Sequence, residues 1–311
     1  MEIVSTKMLE PADENPVAVA AGFFDGCHIG HRAVLKAALD AARADGARAW
    51  VLSFSDHPRG AIPHGSPPPL LSTTEQRLAF FDSMGFDGAC LIVFDAEIAA
   101  LSPADFVKRL RILFPALRCV CTGKNWRFGK DAAGTPGLLA AFGQESGFKA
   151  CAIPVAMLDG EPISSTRIRA AVASGDLADA AAMLGRDFSV SGKVVRGRQV
   201  GSANGVATAN IFLDGTVTPP VGVYAVEAEI DGICAGGVAD LGWRPTFPDA
   251  RPDTPILEAH FFGVSRELYG ETLKVRFIKR LRDEMAFSSK EALFRQIALD
   301  METARAVLKR R

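Results

Sequence analysis

The sequence lacks any apolar run close to the roughly 18 residues that a membrane-spanning helix needs. Its first residues, MEIVSTKMLEPADE, also lack the basic-then-apolar order of a secretory signal peptide. A charge excess of either sign is missing too, because 35 Lys and Arg against 36 Asp and Glu leave a net charge of −1. No overall field therefore draws the chain to nucleic acid or to an anionic membrane, and we expect a cytoplasmic protein.

Cysteine is scarce and scattered. Most of the six cysteines lie in apolar, strand-like segments such as LRCVC and GACLIVF, which favour buried free thiols in a reducing compartment over disulfides. No second pair stands at zinc-finger spacing from Cys119 and Cys121, so a metal site there has little support. The six positions are Cys27, Cys90, Cys119, Cys121, Cys151 and Cys234.

What is present is the composition of a globular enzyme, with 48% apolar and 23% charged residues. At 311 residues the chain is longer than single cores usually grow, so two domains are expected. From residue 16 to about 185, apolar strand-like runs alternate with helix-like patterns, one of which begins with a Thr73-to-Gln76 capping box. Continuous apolar strands between helices predict a Rossmann-like α/β domain with a parallel sheet, over residues 1–187.

After Arg186 the pattern changes to β-like segments. Residues 230–233, Ile-Asp-Gly-Ile, are typical of a two-residue hairpin turn. A Ser288-to-Glu291 capping box then opens a last helical stripe. Residues 188–311 are therefore predicted to form a small β-barrel with a C-terminal helix.

The segment GFFDGCHIGH, residues 22–31, stands where the first buried strand meets its helix. Ligands of open α/β sheets bind at this edge, and the N–H groups at a helix start favour an anion. The spacing fits neither the dinucleotide-binding fingerprint nor the P-loop, yet phosphate is the natural ligand. The candidate phosphate-binding residues of this segment are Gly22, Phe24, Asp25, Gly26 and Gly30.

His28 and His31 would supply N–H donors, potentially cationic, to phosphate oxygens on which charge builds up during transfer. The alternative is that one histidine caps the helix and the other packs. A zinc site is a poorer explanation, because no Cys, His, Asp or Glu residues stand at a spacing that would complete the ligand set.

A second phosphate-type arrangement is ISSTRIR, residues 163–169. Its hydroxyls, Ser164, Ser165 and Thr166, precede Arg167, whose guanidinium is suited to bidentate contacts. A solvated helix cap would explain the hydroxyls alone, but the pair of motifs in one domain favours nucleotide binding.

This pair resembles the nucleotidylyltransferase superfamily, and most closely the bacterial bifunctional riboflavin kinase/FAD synthetases. GFFDGCHIGH is similar to the family's G-x-F-D-G-x-H-x-G-H, and ISSTRIR matches its serine/threonine/arginine motif. GKNWRFG at 123–129, TAN at 208–210 and LEAHFF at 257–262 follow the family order, so the resemblance covers nearly the whole chain.

The resemblance implies that the first domain transfers AMP from ATP to FMN, giving FAD and pyrophosphate. His28 and His31 would then stabilise the α-phosphate, while Arg167 with the three hydroxyls would hold the leaving pyrophosphate. Asn125, Trp126 and Phe128 would lie near the flavin. Asp25 would bind nucleotide or simply brace the turn.

The resemblance further implies that the barrel phosphorylates riboflavin to FMN with Mg²⁺ and ATP. Thr208 and Asn210 would hold the metal and phosphate, and Glu258 would take the riboflavin hydroxyl proton. Three residues depart from the family pattern: Ser202 replaces an arginine, Ala207 a proline and Asp240 an asparagine. Glu258 could also be an outward-facing strand residue.

Four functions follow as hypotheses. The first is a bifunctional enzyme acting on riboflavin, FMN, FAD and ATP, with no nucleic-acid or membrane partner. The second is an FMN adenylyltransferase whose degenerate kinase domain only binds flavin. The third is a non-catalytic flavin sensor, and the fourth keeps the superfamily chemistry but acts on a pantetheine or nicotinate nucleotide.

Overall fold

A computed structural model of the chain describes residues 1–55, 67–195, 208–213, 215–243 and 255–310. Two compact units are present: residues 1–68 with 72–165, and residues 69–71 with 166–311. The domain boundary predicted after residue 187 rests on the change of sequence pattern and stays a prediction. Ser202 and Ala207 lie outside the described residues.

The first unit contains six long strands with helices between them. Its elements are β1 (Glu2–Thr6), β2 (Val17–Ala21), α1 (Ile29–Ala44), β3 (Arg48–Phe54), α2 (Thr74–Ser83), β4 (Gly88–Ile92), α3 (Ala96–Ala99), α4 (Pro103–Leu113), β5 (Leu117–Gly123), α5 (Pro136–Ser146) and β6 (Lys149–Ile153), followed by the short pair β7 (Met157–Leu158) and β8 (Glu161–Pro162).

The six long strands form one sheet in the order β1-β4-β3-β2-β5-β6, and every neighbouring pair is parallel. All five residues of β2 are buried, because helices cover both faces of the sheet. Val17 and Val19 pack into the core of one face, whereas Ala18 and Ala20 pack under α1 on the other. The predicted Rossmann-like parallel sheet is confirmed.

The second unit contains the remaining helices and an antiparallel barrel. Its elements are α6 (Ser165–Ser174, whose first residue clusters with the first unit), α7 (Leu177–Leu184), β9 (Ser189–Val195), β10 (Ala209–Phe212), β11 (Gly222–Ile230), β12 (Ile233–Trp243), β13 (Pro255–Phe261), β14 (Thr272–Arg282) and α8 (Lys290–Lys309). Strands β9 to β14 close in the order β10-β13-β12-β11-β14-β9.

The hairpin between β11 and β12 turns at Asp231 and Gly232, as predicted, and both have a positive φ, 53° and 74°. Two successive residues in this region are what a tight turn between twisted strands requires. The predicted barrel with a C-terminal helix is confirmed.

The N-cap of α8 is Ser289 and not Ser288, because the Ser289 hydroxyl accepts the bond from the Ala292 N–H. Two adjacent serines offer the same cap chemistry, so the sequence pattern missed the start of the helix by one residue. In the part of the chain that the structure describes, no helix is both long and apolar enough to cross a membrane.

Candidate functional sites

The GFFDGCHIGH segment lies at the point where the strand order of the sheet reverses. From β2 the chain runs to β3 on one side, whereas β5 pairs with the other side of β2. Loops at this edge diverge from one another and leave a crevice beyond the carboxyl ends of the strands. The histidine motif therefore occupies the usual ligand position of an open α/β sheet.

His28 is the N-cap of α1. Its Nδ1 accepts a hydrogen bond from the His31 backbone N–H at 3.3 Å, so a neutral His28 ring carries its proton on Nε2. The ring lies so close to Gly30 that a Cβ there would stand 3.2 Å from ring atoms. The alternative in which one histidine caps the helix is thus part of the structure.

The His31 ring stacks on His28, with 3.6 Å between the ring centroids, and meets the edge of Phe24. Burial holds the pKa of His31 well below its usual value, and the neighbouring His28 and Arg77 lower this pKa further. Its Nδ1 is buried, and none of the described residues gives it a hydrogen-bond partner. The ring is therefore neutral near pH 7 without a ligand.

This lowered pKa predicts a pH dependence of stability. Below about pH 6.5 the unfolded chain takes up a proton on His31 that the folded chain resists, so folding free energy is lost as the pH falls, by up to about 1.4 kcal/mol per pH unit. The loss is absent above that pH.

His31→Asn is expected to remove this dependence. Denaturant unfolding of both proteins at several pH values between about 7.5 and 5 tests this expectation, because the wild type should lose stability relative to the variant on acidification. A stability difference that stays constant over this range would show that His31 titrates normally.

The turn between β2 and α1 is strained and braced. Phe24 and Cys27 have φ values of 58° and 41°, a region that costs non-glycine residues about 1–3 kcal/mol and is common at functional sites. The buried Asp25 carboxylate accepts bonds from the Ser72 N–H and hydroxyl, and the Ser72 hydroxyl accepts a bond from the Gly26 N–H. These contacts support the bracing role of Asp25.

Phe24 and Gly22 contribute to the packing around the histidine motif. Phe24 is 2% exposed and packs on Phe81 of α2. A Cβ at Gly22 would come within 2.9 Å of the Phe24 ring. Gly22 thus leaves room for this ring, which in turn supports His31.

Arg77 is a site residue that sequence reasoning missed. It lies in α2, is 1% exposed, and donates to the backbone oxygens of Phe23 and Phe54 and to the hydroxyls of Ser53 and Thr74 at 2.8–3.0 Å. Its guanidinium also covers the Phe23 ring at 4.5 Å. One side chain thereby fixes the start of the histidine motif to the end of β3.

We expect Arg77→Lys to destabilise the fold by about 2–4 kcal/mol, since one ammonium cannot reach all four acceptors and leaves some of them buried and unpaired. Denaturant unfolding measures the change. Arg43→Lys, an exposed arginine of α1, is the matched control and should shift stability by less than about 0.5 kcal/mol. Equal effects of the two substitutions would contradict the bracing role.

The ISSTRIR segment opens α6, which begins at Ser165. Within the first unit, the Ser165 hydroxyl donates to the Asp25 backbone oxygen of the histidine motif at 3.0 Å. Arg167 belongs to the second unit and contacts Asp179 at a long N···O distance of 3.5 Å. Ser164 lies just before the helix, and Thr166 is its second residue.

Asn125, Trp126 and Phe128 follow β5 at the same edge of the sheet. Asn125 is exposed. Trp126 stacks on Phe128 with 4.9 Å between centroids, and both rings meet Phe106. Phe128 is 5% exposed and is part of the core, so its ring supports the half-buried Trp126.

In the second unit the predicted kinase residues form one row across three strands. Asn210 stands opposite Glu258, and Glu258 stands opposite Asp240, so the three side chains share one face of the barrel wall. The Thr208 hydroxyl donates to the Glu258 carboxylate at 3.1 Å. Asn210 is 8% exposed, whereas Glu258 is half-buried. An amide and two carboxylates thus lie side by side across the strands, with the Thr208 hydroxyl bonded to the central carboxylate.

Comparison with known families finds a match for both parts of the chain. A family model described as FAD synthetase matches residues 10–167, and one described as riboflavin kinase matches residues 184–308. The first part of the chain is thus of the nucleotidyl-transferring class and the second of the small-molecule kinase class.

Relatives extend the match over the whole chain. A bifunctional riboflavin kinase/FMN adenylyltransferase of Escherichia coli is 34% identical, with 96% of this chain and 94% of the relative covered. That of Bacillus subtilis is 32% identical, with 92% and 90% covered. A solved structure described as a macrolide-efflux protein from Streptococcus pneumoniae has a TM-score of 0.84 at 27% identity and covers 98% of this chain and 99% of its own.

The chain therefore belongs to the family of bifunctional riboflavin kinases/FMN adenylyltransferases. It phosphorylates riboflavin to FMN with ATP and transfers AMP from a second ATP to FMN, giving FAD and pyrophosphate. The presence of both domains favours this function over an adenylyltransferase with a degenerate kinase domain.

Proposed function

We propose that His28 and His31 carry the adenylyl transfer by binding the α-phosphate of ATP. An oxygen of the FMN phosphate forms a bond to the α-phosphorus while the bond from that phosphorus to the bridging oxygen of pyrophosphate breaks. Negative charge builds up on the non-bridging oxygens, where imidazole N–H donors and the first N–H groups of α1 are most effective.

The observation that carries this proposal is the state of His31. The His31 ring is half-buried and neutral, and its buried Nδ1 has no hydrogen-bond partner among the described residues, which is costly unless a ligand compensates for it. A bound triphosphate would raise the pKa of His31 by its negative charge and favour the protonated donor. The braces from Ser72 and Arg77 would hold the motif in place before substrate arrives.

The leaving pyrophosphate would be held by Arg167 and the helix start at Ser164, Ser165 and Thr166. Arg167 contacts Asp179 at a long distance. A phosphate group carries more negative charge than this carboxylate and would replace it as the partner of Arg167. The Ser165 hydroxyl is engaged with the Asp25 backbone, so we assign Ser165 to positioning.

Flavin would stack on Trp126, because its ring is already oriented by Phe128 and Phe106. Exposed Asn125 would supply a hydrogen bond to the polar edge of the flavin. Phe128 acts through Trp126 and does not itself face the ligand.

In the barrel, we assign Glu258 as the base that accepts the proton of the riboflavin hydroxyl. The hydroxyl oxygen forms a bond to the γ-phosphorus of ATP while the bond from that phosphorus to the β–γ bridging oxygen breaks and ADP leaves. Thr208 already donates to this carboxylate and thereby orients it. The oxygen donors of Thr208 and Asn210 fit a hard cation such as Mg²⁺, which would supply charge neutralisation on ATP. Asp240, opposite Glu258, adds a second carboxylate that favours a cation at this position.

Chromatography of flavins after incubation with riboflavin, ATP and Mg²⁺ tests the function. FMN should appear first and FAD after it, and excess EDTA should stop both. Appearance of FAD from added FMN, without any FMN from riboflavin, would show that the kinase residues do not work together.

A further inference from the structure

Three cysteines that neither reaction uses come together in the first unit. Cys119 and Cys121 lie two residues apart on β5, so they face the same side of the sheet, and Cys151 stands opposite Cys121 on β6. The Cys119 sulfur lies 3.8 Å from each of the other two, and all three sulfurs lie within 4.8 Å of one another. In the sequence, Cys119 and Cys121 have no second pair at zinc-finger spacing, but the pairing of β5 with β6 places a third thiol beside them.

These distances suit a shared metal ion. Zinc–thiolate bonds of about 2.3 Å at tetrahedral angles separate the sulfurs by about 3.8 Å, and three protein ligands with an open fourth position are a common zinc arrangement. The sulfurs of the triad therefore need to move little to bind one ion. Thiolates select thiophilic cations over Mg²⁺ or Ca²⁺.

We propose that Cys119, Cys121 and Cys151, the thiol triad, bind one Zn²⁺ ion. The surroundings favour zinc over Cu⁺, because three thiolates leave a net charge of −1 on a zinc site and −2 on a copper site. Cys119 and Cys121 lie among Leu35 and Ala38 of α1, in an apolar core where additional charge is costly.

Zinc binds the thiolate form of cysteine, so the thiols of the triad must lose their protons when the ion binds. Hydrogen bonding with the Cys121 thiol lowers the pKa of Cys119 to about 7. The pKa of Cys121 is raised, first by that same hydrogen bond and then by burial. Metal binding must therefore release protons, and the affinity for zinc should fall as the pH is lowered.

An entry path exists at the edge of the sheet. Cys119 and Cys121 are buried, whereas Cys151 lies on the edge strand β6 and is exposed. An ion arriving there would meet Cys151 first and then join β6 to β5. We assign the metal a structural role, because it would fasten the edge strand of the sheet to its neighbour.

Cd²⁺ titration of the reduced full-length protein tests the proposal, since the sulfur-to-cadmium charge-transfer band reports thiolate ligands and is blind to the histidines. We expect one equivalent of Cd²⁺ per chain, and competition with a chromophoric chelator gives the affinity for Zn²⁺. Cys151→Ser should remove most of the band and weaken Zn²⁺ binding by more than about 100-fold. Because Cys151 is exposed, this variant opens no cavity in the core.

Cys234→Ser is the matched control, an exposed cysteine of the second unit that lies outside the triad. The Cys234→Ser variant should keep the sulfur-to-cadmium band and the wild-type affinity for Zn²⁺. Its melting temperature should also rise on addition of Zn²⁺, whereas that of Cys151→Ser should not. No charge-transfer band in the wild type, or a band that Cys151→Ser retains in full, would overturn the proposal. Neither result depends on FAD synthesis, so the triad and the proposed active-site residues are tested separately.

Discussion

His31→Ala is expected to stop FAD formation while leaving FMN formation from riboflavin at the wild-type rate. Loss of one donor aimed at developing charge lowers kcat by about 10²–10³-fold, because that interaction is strongest in the transition state. The barrel residues Thr208, Asn210 and Glu258 lie in the other compact unit and keep their own contacts. FMN should therefore accumulate.

Lys36→Ala is the control for this prediction. Lys36 is an exposed residue of the same helix, five positions after His31, and its ammonium pairs with another surface residue, Asp40. Its loss should change neither step. FAD formation at more than about one tenth of the wild-type rate in His31→Ala would contradict the role of His31 in charge stabilisation.

Glu258→Gln is expected to have the reverse effect. The amide keeps the size and shape of the side chain but does not accept the riboflavin proton, so the kinase rate should fall by about 10²–10⁴-fold. FAD formation from added FMN should continue, because His28 and His31 are unchanged. Flavin chromatography with riboflavin and with FMN as alternative substrates separates the two steps.

Glu229→Gln, an exposed glutamate on β11, is the matched control for the loss of a carboxylate from the barrel. It should leave both steps at wild-type rates. If Glu258→Gln keeps wild-type kinase activity, Glu258 is the outward-facing strand residue of the alternative interpretation, and another group must accept the proton.

Much of the fold could be predicted from local pattern. The apolar run at β2 reflects burial on both faces, and the Thr73-to-Gln76 capping box forms as its spacing indicates. The Asp231-Gly232 turn likewise follows from the backbone conformations that these two residues tolerate. Each of these features depends on residues close together in the sequence.

The braces of the site could not be predicted, because their partners are distant in sequence. Ser72 contacts Gly26 from 46 positions away, and Arg77 contacts Phe23 from 54 positions away. Arg77 stands in a helix where a charged residue normally faces solvent, so nothing in its neighbourhood indicates that it is buried. The residue types of the GFFDGCHIGH segment likewise indicated phosphate donors. They did not indicate that desolvation lowers the pKa of His31 and keeps its ring neutral.

The thiol triad could not be predicted for the same reason, because its third member is distant in sequence. Cys119 and Cys121 are visible as a pair, but Cys151 joins them only because β5 and β6 are neighbours in register. The row of Asn210, Asp240 and Glu258 also depends on strand register, and family resemblance identified its members where spacing could not.

The proposed adenylyl transfer depends on binding of the triphosphate in the crevice after β2 through the two stacked imidazoles. A crystal structure with a non-hydrolysable ATP analogue and FMN tests it most directly. We expect the α-phosphate within hydrogen-bond distance of His28 and His31, next to the first N–H groups of α1. A triphosphate bound elsewhere, with the His31 ring still stacked and unpaired, would contradict it.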